Sequence, residues 1–330
     1  DAGAPCQGAW LYVFDPDFMS REVQLPGVAV SVRKASARRA LFILQSVRSL
    51  GEQLSHKLGA DLIVRHGRPE DGITSLARAL GWPRWDVHCQ RELGTEEEAV
   101  QARVSEAAEA CGGRFLSGWG RQLLFHPEDV AKSLGVDPRM SLVNPHHFWE
   151  QDGDVEPVVP VRPEIAAPAS GTTGQCRHHS RPFVSGLPAG VRDPLGLLAT
   201  PLCEALMRLG YSEEEAVTAC TPDPRAVLPF RGGEAEGLRR LDRWIQTGLQ
   251  GYYEQRAGLL GADYSSKLSP WLATGCVSPG TVYRKVRAVG DNQSTGWLIS
   301  ELAWRDLFRY HLMYHGSAVF FLGGPARAHR

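Results

Sequence analysis

The chain has 330 residues, of which 43% are hydrophobic, and carries a formal net charge of −1. That length gives room for about two domains, and that hydrophobic content supports a sizeable core and excludes global disorder. A near-neutral balance excludes a generally basic chain, so a nucleic-acid partner must meet a local basic surface.

Along the chain, Trp10-Leu11-Tyr12-Val13-Phe14 reads as a buried strand ended by Asp15-Pro16. Residues 37–58 read as an amphipathic helix with Leu41, Leu44, Val47, Leu50, Leu54 and Leu58 on its apolar face and Gly59 as C-cap. Asp61-Leu62-Ile63-Val64-Arg65 is a second strand, and Pro69 with Glu70 and Asp71 opens a helix continued by residues 73–80. Trp85-Asp86-Val87-His88-Cys89 is a third strand. Thr95 with Glu96, Glu97 and Glu98 starts a helix that runs to about Cys111 and stops at Gly112-Gly113. Phe115 to Trp119 reads as a short fourth strand. This alternation predicts an α/β domain with a doubly wound parallel sheet over residues 1–127, whose ligands bind beyond the carboxyl ends of the strands.

Between Pro127 and Pro194 the periodicity is lost among prolines, glycines and serines, so residues 128–194 read as an inter-domain connector. Residues 195–330 read as an all-α domain. Its predicted helices span 200–209, 213–219, 234–256, 279–286 and 294–315.

The 7 cysteines are widely spread, with no Cys-x-x-Cys. They make neither a disulfide framework nor a zinc site, and point to an intracellular protein. Cys176 with His178 and His179 has no second half-site and reads as loop, so no metal is expected. No run approaches the ~20 apolar residues of a bilayer span, and no membrane partner is expected. No leader is visible, but the chain begins Asp-Ala-Gly and not Met, which leaves the compartment open.

Two constellations carry chemistry. Ser265, Ser266 and Ser269 surround Lys267, and Pro270 stands at a helix start. Hydroxyls and free amides beside one cation are what a pyrophosphate requires. The same residues also read as an ordinary helix start with Ser269 as N-cap, and Tyr253 alone reads as a core aromatic. On the last helix Glu301, Trp304, Arg305 and Phe308 fall at i, i+3, i+4 and i+7, on one face. Trp304 offers a stacking surface for a base and Arg305 can meet a phosphate. A plain Glu301–Arg305 pair at i, i+4 accounts for the pattern equally well.

A longer ordered set of motifs carries a resemblance. Phe230-Arg231-Gly232-Gly233-Glu234, Tyr253, Gly258-Leu259-Leu260-Gly261, Asp263-Tyr264-Ser265-Ser266-Lys267-Leu268-Ser269-Pro270-Trp271, Asn292-Gln293-Ser294-Thr295 and Glu301-Leu302-x-Trp304-Arg305-Asp306-x-Phe308 follow in sequence. Together they resemble the FAD-binding domain of the photolyase/cryptochrome family, the DASH branch in particular. Tyr12-Val13-Phe14-Asp15-Pro16 and Val64-Arg65-His66-Gly67-Arg68-Pro69 are similar to the strand ends of that family's antenna domain.

The resemblance implies that Tyr253, Ser265, Ser266, Lys267, Leu268 and Ser269 hold FAD through its phosphates. It implies that Glu301 faces the substrate or the adenine region and that Trp304 stacks on a pyrimidine dimer, the two being the catalytic candidates. Arg305 to Phe308 are implied to line the DNA-facing mouth. Glu92 resembles the acid that contacts a folate antenna (methenyltetrahydrofolate), against a reading as a solvated strand-end acid. The implied activity is a photolyase-type lyase that repairs cyclobutane pyrimidine dimers in single-stranded or looped DNA. A blue-light photoreceptor without repair activity is the alternative, and a degenerate fragment without cofactor is a second one.

The family's opening strand signature is absent before Asp1, and Phe320 to Arg330 do not resemble family sequence. A fragment is therefore the expectation. It would lack the first strand and the C-terminal part of the FAD domain, and by itself would hold FAD poorly and be inactive. An intracellular location is implied, with chloroplast or mitochondrion open for a plant or alga.

Overall fold

A computed structural model of the chain describes residues 7–24, 27, 29–138, 140, 148, 159–162, 183–258 and 261–325. Its first elements are β1 (Trp10–Phe14), β2 (Glu22–Gln24), β3 (Ser31–Arg33), α1 (Ala37–Leu58), β4 (Leu62–His66) and α2 (Pro69–Leu80). Then come β5 (Trp85–Gln90), α3 (Thr95–Ala110), β6 (Gly113–Gly118) and α4 (Pro127–Leu134). Next follow α5 (Ala189–Arg192), which also falls inside the stretch read as connector, α6 (Leu202–Arg208), α7 (Glu213–Cys220), α8 (Glu234–Thr247), α9 (Tyr252–Gln255), α10 (Ser269–Ala273), α11 (Pro279–Arg287) and α12 (Gln293–His315). The fold is thus an α/β N-terminal region with parallel strands and a helical C-terminal part. The chain groups into two compact units, Asp1–Pro83 with Ala166–Gly237, and Arg84–Ile165 with Leu238–Arg330.

In the first unit β1 and β4 pair in parallel, Tyr12 opposite Val64. β4 begins with three buried residues, Leu62, Ile63 and Val64, as a strand covered on both faces does. α1 is capped by Ser36, whose hydroxyl accepts from the Arg39 amide, and ends at Gly59 with φ 61°. Its core face is Ala40, Ile43, Leu44, Val47 and Leu54, while the expected Leu50 and Leu58 are exposed. The Gly232-Gly233 pair lies directly on α1. The Gly232 amide donates to Gln45 Oε1 (2.9 Å) and the Gly233 amide to Ser46 Oγ (3.1 Å). A Cβ at Gly232 would sit 2.0 Å from the Phe42 carbonyl oxygen, so only glycine permits this approach.

In the second unit β5 and β6 pair in parallel, Val87 opposite Phe115. The described parallel strands therefore form two separate pairs, and β2 and β3 add an antiparallel pair absent from the sequence reading. β5 exposes Asp86, His88 and Gln90, a polar alternation unlike the apolar run of a strand buried on both faces.

Two further elements differ from expectation. α4 lies inside the stretch taken as connector, started by Pro127 and ended by Gly135 at φ 66°. The single helix expected over 234–256 is broken between α8 and α9. A Cβ at Gly248 would lie 2.5 Å from both the Asp263 carbonyl oxygen and Trp244 Nε1, so another segment crosses the helix path there. No helix among the described residues is long and apolar enough to cross a membrane. Cys176, His178 and His179 lie outside the described residues.

Candidate functional site

Every residue singled out for chemistry falls in the second unit, on the 262–269 loop, α9, α12 and the end of β5. The loop is organised by Arg240 of α8, only 6% exposed. Its guanidinium donates to the carbonyls of Ala262 (2.7 Å), Ser265 (3.1 Å) and Ser266 (2.9 Å) and to Asp263 Oδ1 (2.8 Å). Buried Trp244 donates its indole N–H to the Asp263 carbonyl at 2.9 Å. The bond from Arg240 holds the Asp263 carboxyl below its ordinary range. Five of the loop's acceptor groups are thereby turned onto α8.

The loop also carries donors: the hydroxyls of Ser265, Ser266 and Ser269 and the Lys267 ammonium, which reaches Ser265 Oγ at 3.5 Å. Lys267 has φ 53°, the one non-glycine positive φ among the described residues. A left-handed L-residue costs about 1–2 kcal/mol, and such strain collects at functional sites. Leu268 is buried and anchors the loop's end. The Ser269 cap reading is not what forms: Leu268 occupies the N-cap position and no side chain caps α10.

α9 supplies a second cluster. The Tyr253 amide donates to Ser294 Oγ (3.0 Å), and that hydroxyl donates to the Gln250 carbonyl (3.2 Å). The Arg256 guanidinium lies 4.4 Å from the centre of the Tyr253 ring and 4.0 Å from that of Trp297, with the two rings nearly perpendicular. Its Nη1 also donates to the Tyr253 carbonyl. The Trp297 indole donates to Glu301 Oε1 at 3.1 Å. Tyr253 is thus part of a cation–aromatic cluster and not a core aromatic. Its neighbour Tyr252 is the buried one, its phenol pushed up to about 12 by burial and then by the Glu301 carboxylate.

α12 has two unlike sides. Trp304 is 42% exposed and Phe308 69%, their rings 6.4 Å apart. Arg305 does not pair with Glu301. It donates to the Gln122 carbonyl and, at 3.5 Å, to the Leu272 carbonyl, so its guanidinium is engaged by the chain itself. Asp306 is fully buried and accepts the amides of Leu124 (2.7 Å) and Phe125 (2.8 Å), with Arg305 at 3.4 Å. Burial pushes its carboxyl up to about 7 against the pull of those donors. Arg309 bridges Glu92 (3.2 Å) and Gln122 Oε1 (2.8 Å), and the Tyr310 hydroxyl donates to the Phe125 carbonyl. Glu92 is therefore ion-paired to α12.

Sequence reasoning missed Arg240, Arg256, Trp297 and Arg309, and it set Asp306 among the residues of a DNA-facing mouth, whereas Asp306 is fully buried on the Leu124 and Phe125 amides. Arg256 and Trp297 had a local signal, at i+3 from Tyr253 and i−4 from Glu301. Arg240 had none, because the segment it holds lies more than a helix away in sequence.

A DNA photolyase family model matches residues 5–164. The chain is 34% identical over 320 residues to cryptochrome DASH of Natronomonas pharaonis, covering 95% of this chain and 58% of that protein. The cryptochrome of Synechocystis sp. PCC6803 aligns with a TM-score of 0.72 at 30% identity, over 96% of this chain and 58% of that one. An archaeal photolyase from Sulfolobus tokodaii, solved with two FAD molecules, aligns with a TM-score of 0.54 at 16% identity, over 96% and 55% of the two chains, a likeness of fold alone. The chain is similar to proteins of the photolyase/cryptochrome family. Within that family it is similar over most of its length to cryptochrome DASH proteins, and it spans a little over half the length of those relatives.

Proposed function

We propose that the protein is a flavoprotein of cryptochrome DASH type that binds FAD in its helical part and repairs cyclobutane pyrimidine dimers in single-stranded or looped DNA under light. The observation that supports this best is the loop held by Arg240, in which Lys267 is forced to φ 53° beside the Ser265 hydroxyl. A strained cation among hydroxyls, with the neighbouring carbonyls turned away, fits the pyrophosphate of a dinucleotide.

In this reading Ser265, Ser266, Lys267 and Ser269 bind the phosphates, Leu268 seats the loop and Tyr253 flanks it. Bound FAD supplies the light-driven electron transfer. Trp304 and Phe308 present exposed rings on which an unpaired dimer stacks. Glu301, held by Trp297, offers an acceptor toward the base. Arg305 keeps the helix backbone of this face in place through its carbonyl contacts. Unpaired DNA is the favoured substrate because less stacking is lost when the dimer leaves the strand. Glu92 is proposed as a folate contact only where its pairing with Arg309 is given up.

The test is dimer content in an irradiated single-stranded oligonucleotide, followed by chromatography in light and darkness. Loss of dimers only in light, in proportion to flavin content, is the expected result. A flavin-loaded protein that leaves dimers intact would replace repair with the photoreceptor reading.

A further inference from the structure

In the first unit, α6 and α7 form an antiparallel hairpin joined by residues 209–212. Cys203 stands in the first turn of α6, and Cys220 is the last residue of α7. A short connection between antiparallel helices sets the first turn of one beside the last turn of the other. The packing agrees. Ala205 and Leu206 of α6 share a buried apolar cluster with Ala216 and Ala219 of α7, and Cys203 packs against it. Cys220 follows Ala216 by one helical turn and so faces the same way. The Cys203 thiol is near enough to raise the Cys220 thiol further, after burial has raised it. Both are free, Cys203 partly buried and Cys220 exposed.

We propose that Cys203 and Cys220 are a redox-active dithiol that closes to an intramolecular disulfide when it meets a small-molecule disulfide such as oxidised glutathione. Exposed Cys220 is the point of entry. Its thiolate attacks one sulfur of the small disulfide, forming a mixed disulfide and releasing one glutathione thiol. The Cys203 thiolate then attacks Cys220 Sγ, forming the Cys203–Cys220 bond and releasing the second glutathione. Two cysteine thiols are oxidised, one small disulfide is reduced to two thiols, and both protons end on glutathione. Apolar surroundings and the neighbouring Cys203 sulfur hold the Cys220 thiol above its ordinary value, so the exchange speeds up as pH rises. The bond would clamp the end of α7, where the Thr221 carbonyl accepts from Arg38 of α1 (3.5 Å) and Asp223 lies 3.8 Å from the same guanidinium. Neither cysteine belongs to the flavin or DNA reading.

Peptide mapping decides it. Arg208 lies between the two cysteines, so trypsin places Cys203 in peptide 193–208 and Cys220 in peptide 209–225. The native protein is incubated with excess oxidised glutathione at about pH 8, where thiolates are populated, then alkylated, digested and analysed by mass spectrometry without reductant. The expected result is one linked species of these two peptides, lighter by two hydrogens than their sum and split by dithiothreitol. Cys203→Ser should instead accumulate glutathione on Cys220, because the resolving thiol is gone. A wild-type protein carrying stable glutathione on Cys220, Cys220 linked to another cysteine, or both thiols left reduced would each overturn the proposal.

Discussion

The two sides of α12 share one backbone and one sequence run, yet they are built on opposite terms. The inward side buries polar groups and satisfies them: Asp306 on two amides, Arg305 on two carbonyls, Tyr310 on a third. The outward side leaves Trp304 and Phe308 in solvent. Buried polar contacts fix the rotation of a helix more sharply than apolar packing does, because a misplaced donor or acceptor costs its desolvation. The inward network therefore sets where the aromatic rings point. The 262–269 loop shows the same division, with Arg240 as the buried anchor and Lys267 as the strained outward group.

The largest effect should come from breaking the inward side. Asp306→Ala strands two buried amides and an arginine, and removing one member of such a network costs about 3–5 kcal/mol. Urea unfolding should show that loss. Asp306→Asn keeps an oxygen for the amides and should recover most of it. A loss under about 1 kcal/mol for the alanine variant would mean that water replaces the carboxylate without penalty.

The same carboxyl gives a pH signature. Its folded value, pushed up to about 7, lies above the ordinary carboxyl value. The folded state holds the proton more tightly, so the stability contributed by this group is fully present below about pH 4 and is lost as pH rises toward and through about 7. The difference between wild type and Asp306→Asn, measured by unfolding across that window, should fall with rising pH. A flat difference would show that the amides and Arg305 keep the group ionised throughout.

A smaller effect of opposite sign belongs to the loop. Lys267→Gly relieves the left-handed backbone and should stabilise the fold by about 1 kcal/mol, while removing the cation that the phosphate reading needs. Thermal unfolding should rise and the flavin-to-protein absorbance ratio should fall. Unchanged flavin content would take Lys267 out of the site.

Much of this was legible in the sequence. α1 carries an apolar stripe and a glycine stop, and α12 carries an apolar stripe, a capping box of Asn292 and Thr295, and no proline, so both were readable from local pattern. α4 was hidden because it is short and set among prolines. The break before α9 was hidden because Gly248 is required by the distant Asp263 carbonyl and not by its neighbours. Spacing put Trp304 and Phe308 on one face of the helix, and both are exposed. Arg305 and Asp306 were not resolved, since spacing alone does not say that residues 122–125 supply carbonyls and amides to that helix. Sequence shows which residues share a face; it does not show which face a distant segment covers.

The smallest expected effect on stability tests the outward side. Trp304 is 42% exposed and makes no hydrogen bond among the described residues, so Trp304→Ala should change unfolding free energy by within about 0.5 kcal/mol. Base–aromatic stacking is worth about 1–3 kcal/mol per base, so affinity for a dimer-bearing single strand should drop about 5- to 150-fold. Fluorescence titration with an irradiated oligonucleotide, beside an undamaged control, separates stacking on the lesion from general attraction to the backbone. The flavin ratio should stay constant, because Trp304 lies apart from the 262–269 loop in sequence and its ring stands beside Phe308. A variant that unfolds more easily and binds as before would move Trp304 from the outward side to the core. The division of α12 into a fixing side and a binding side would then be wrong at one of its exposed aromatic positions.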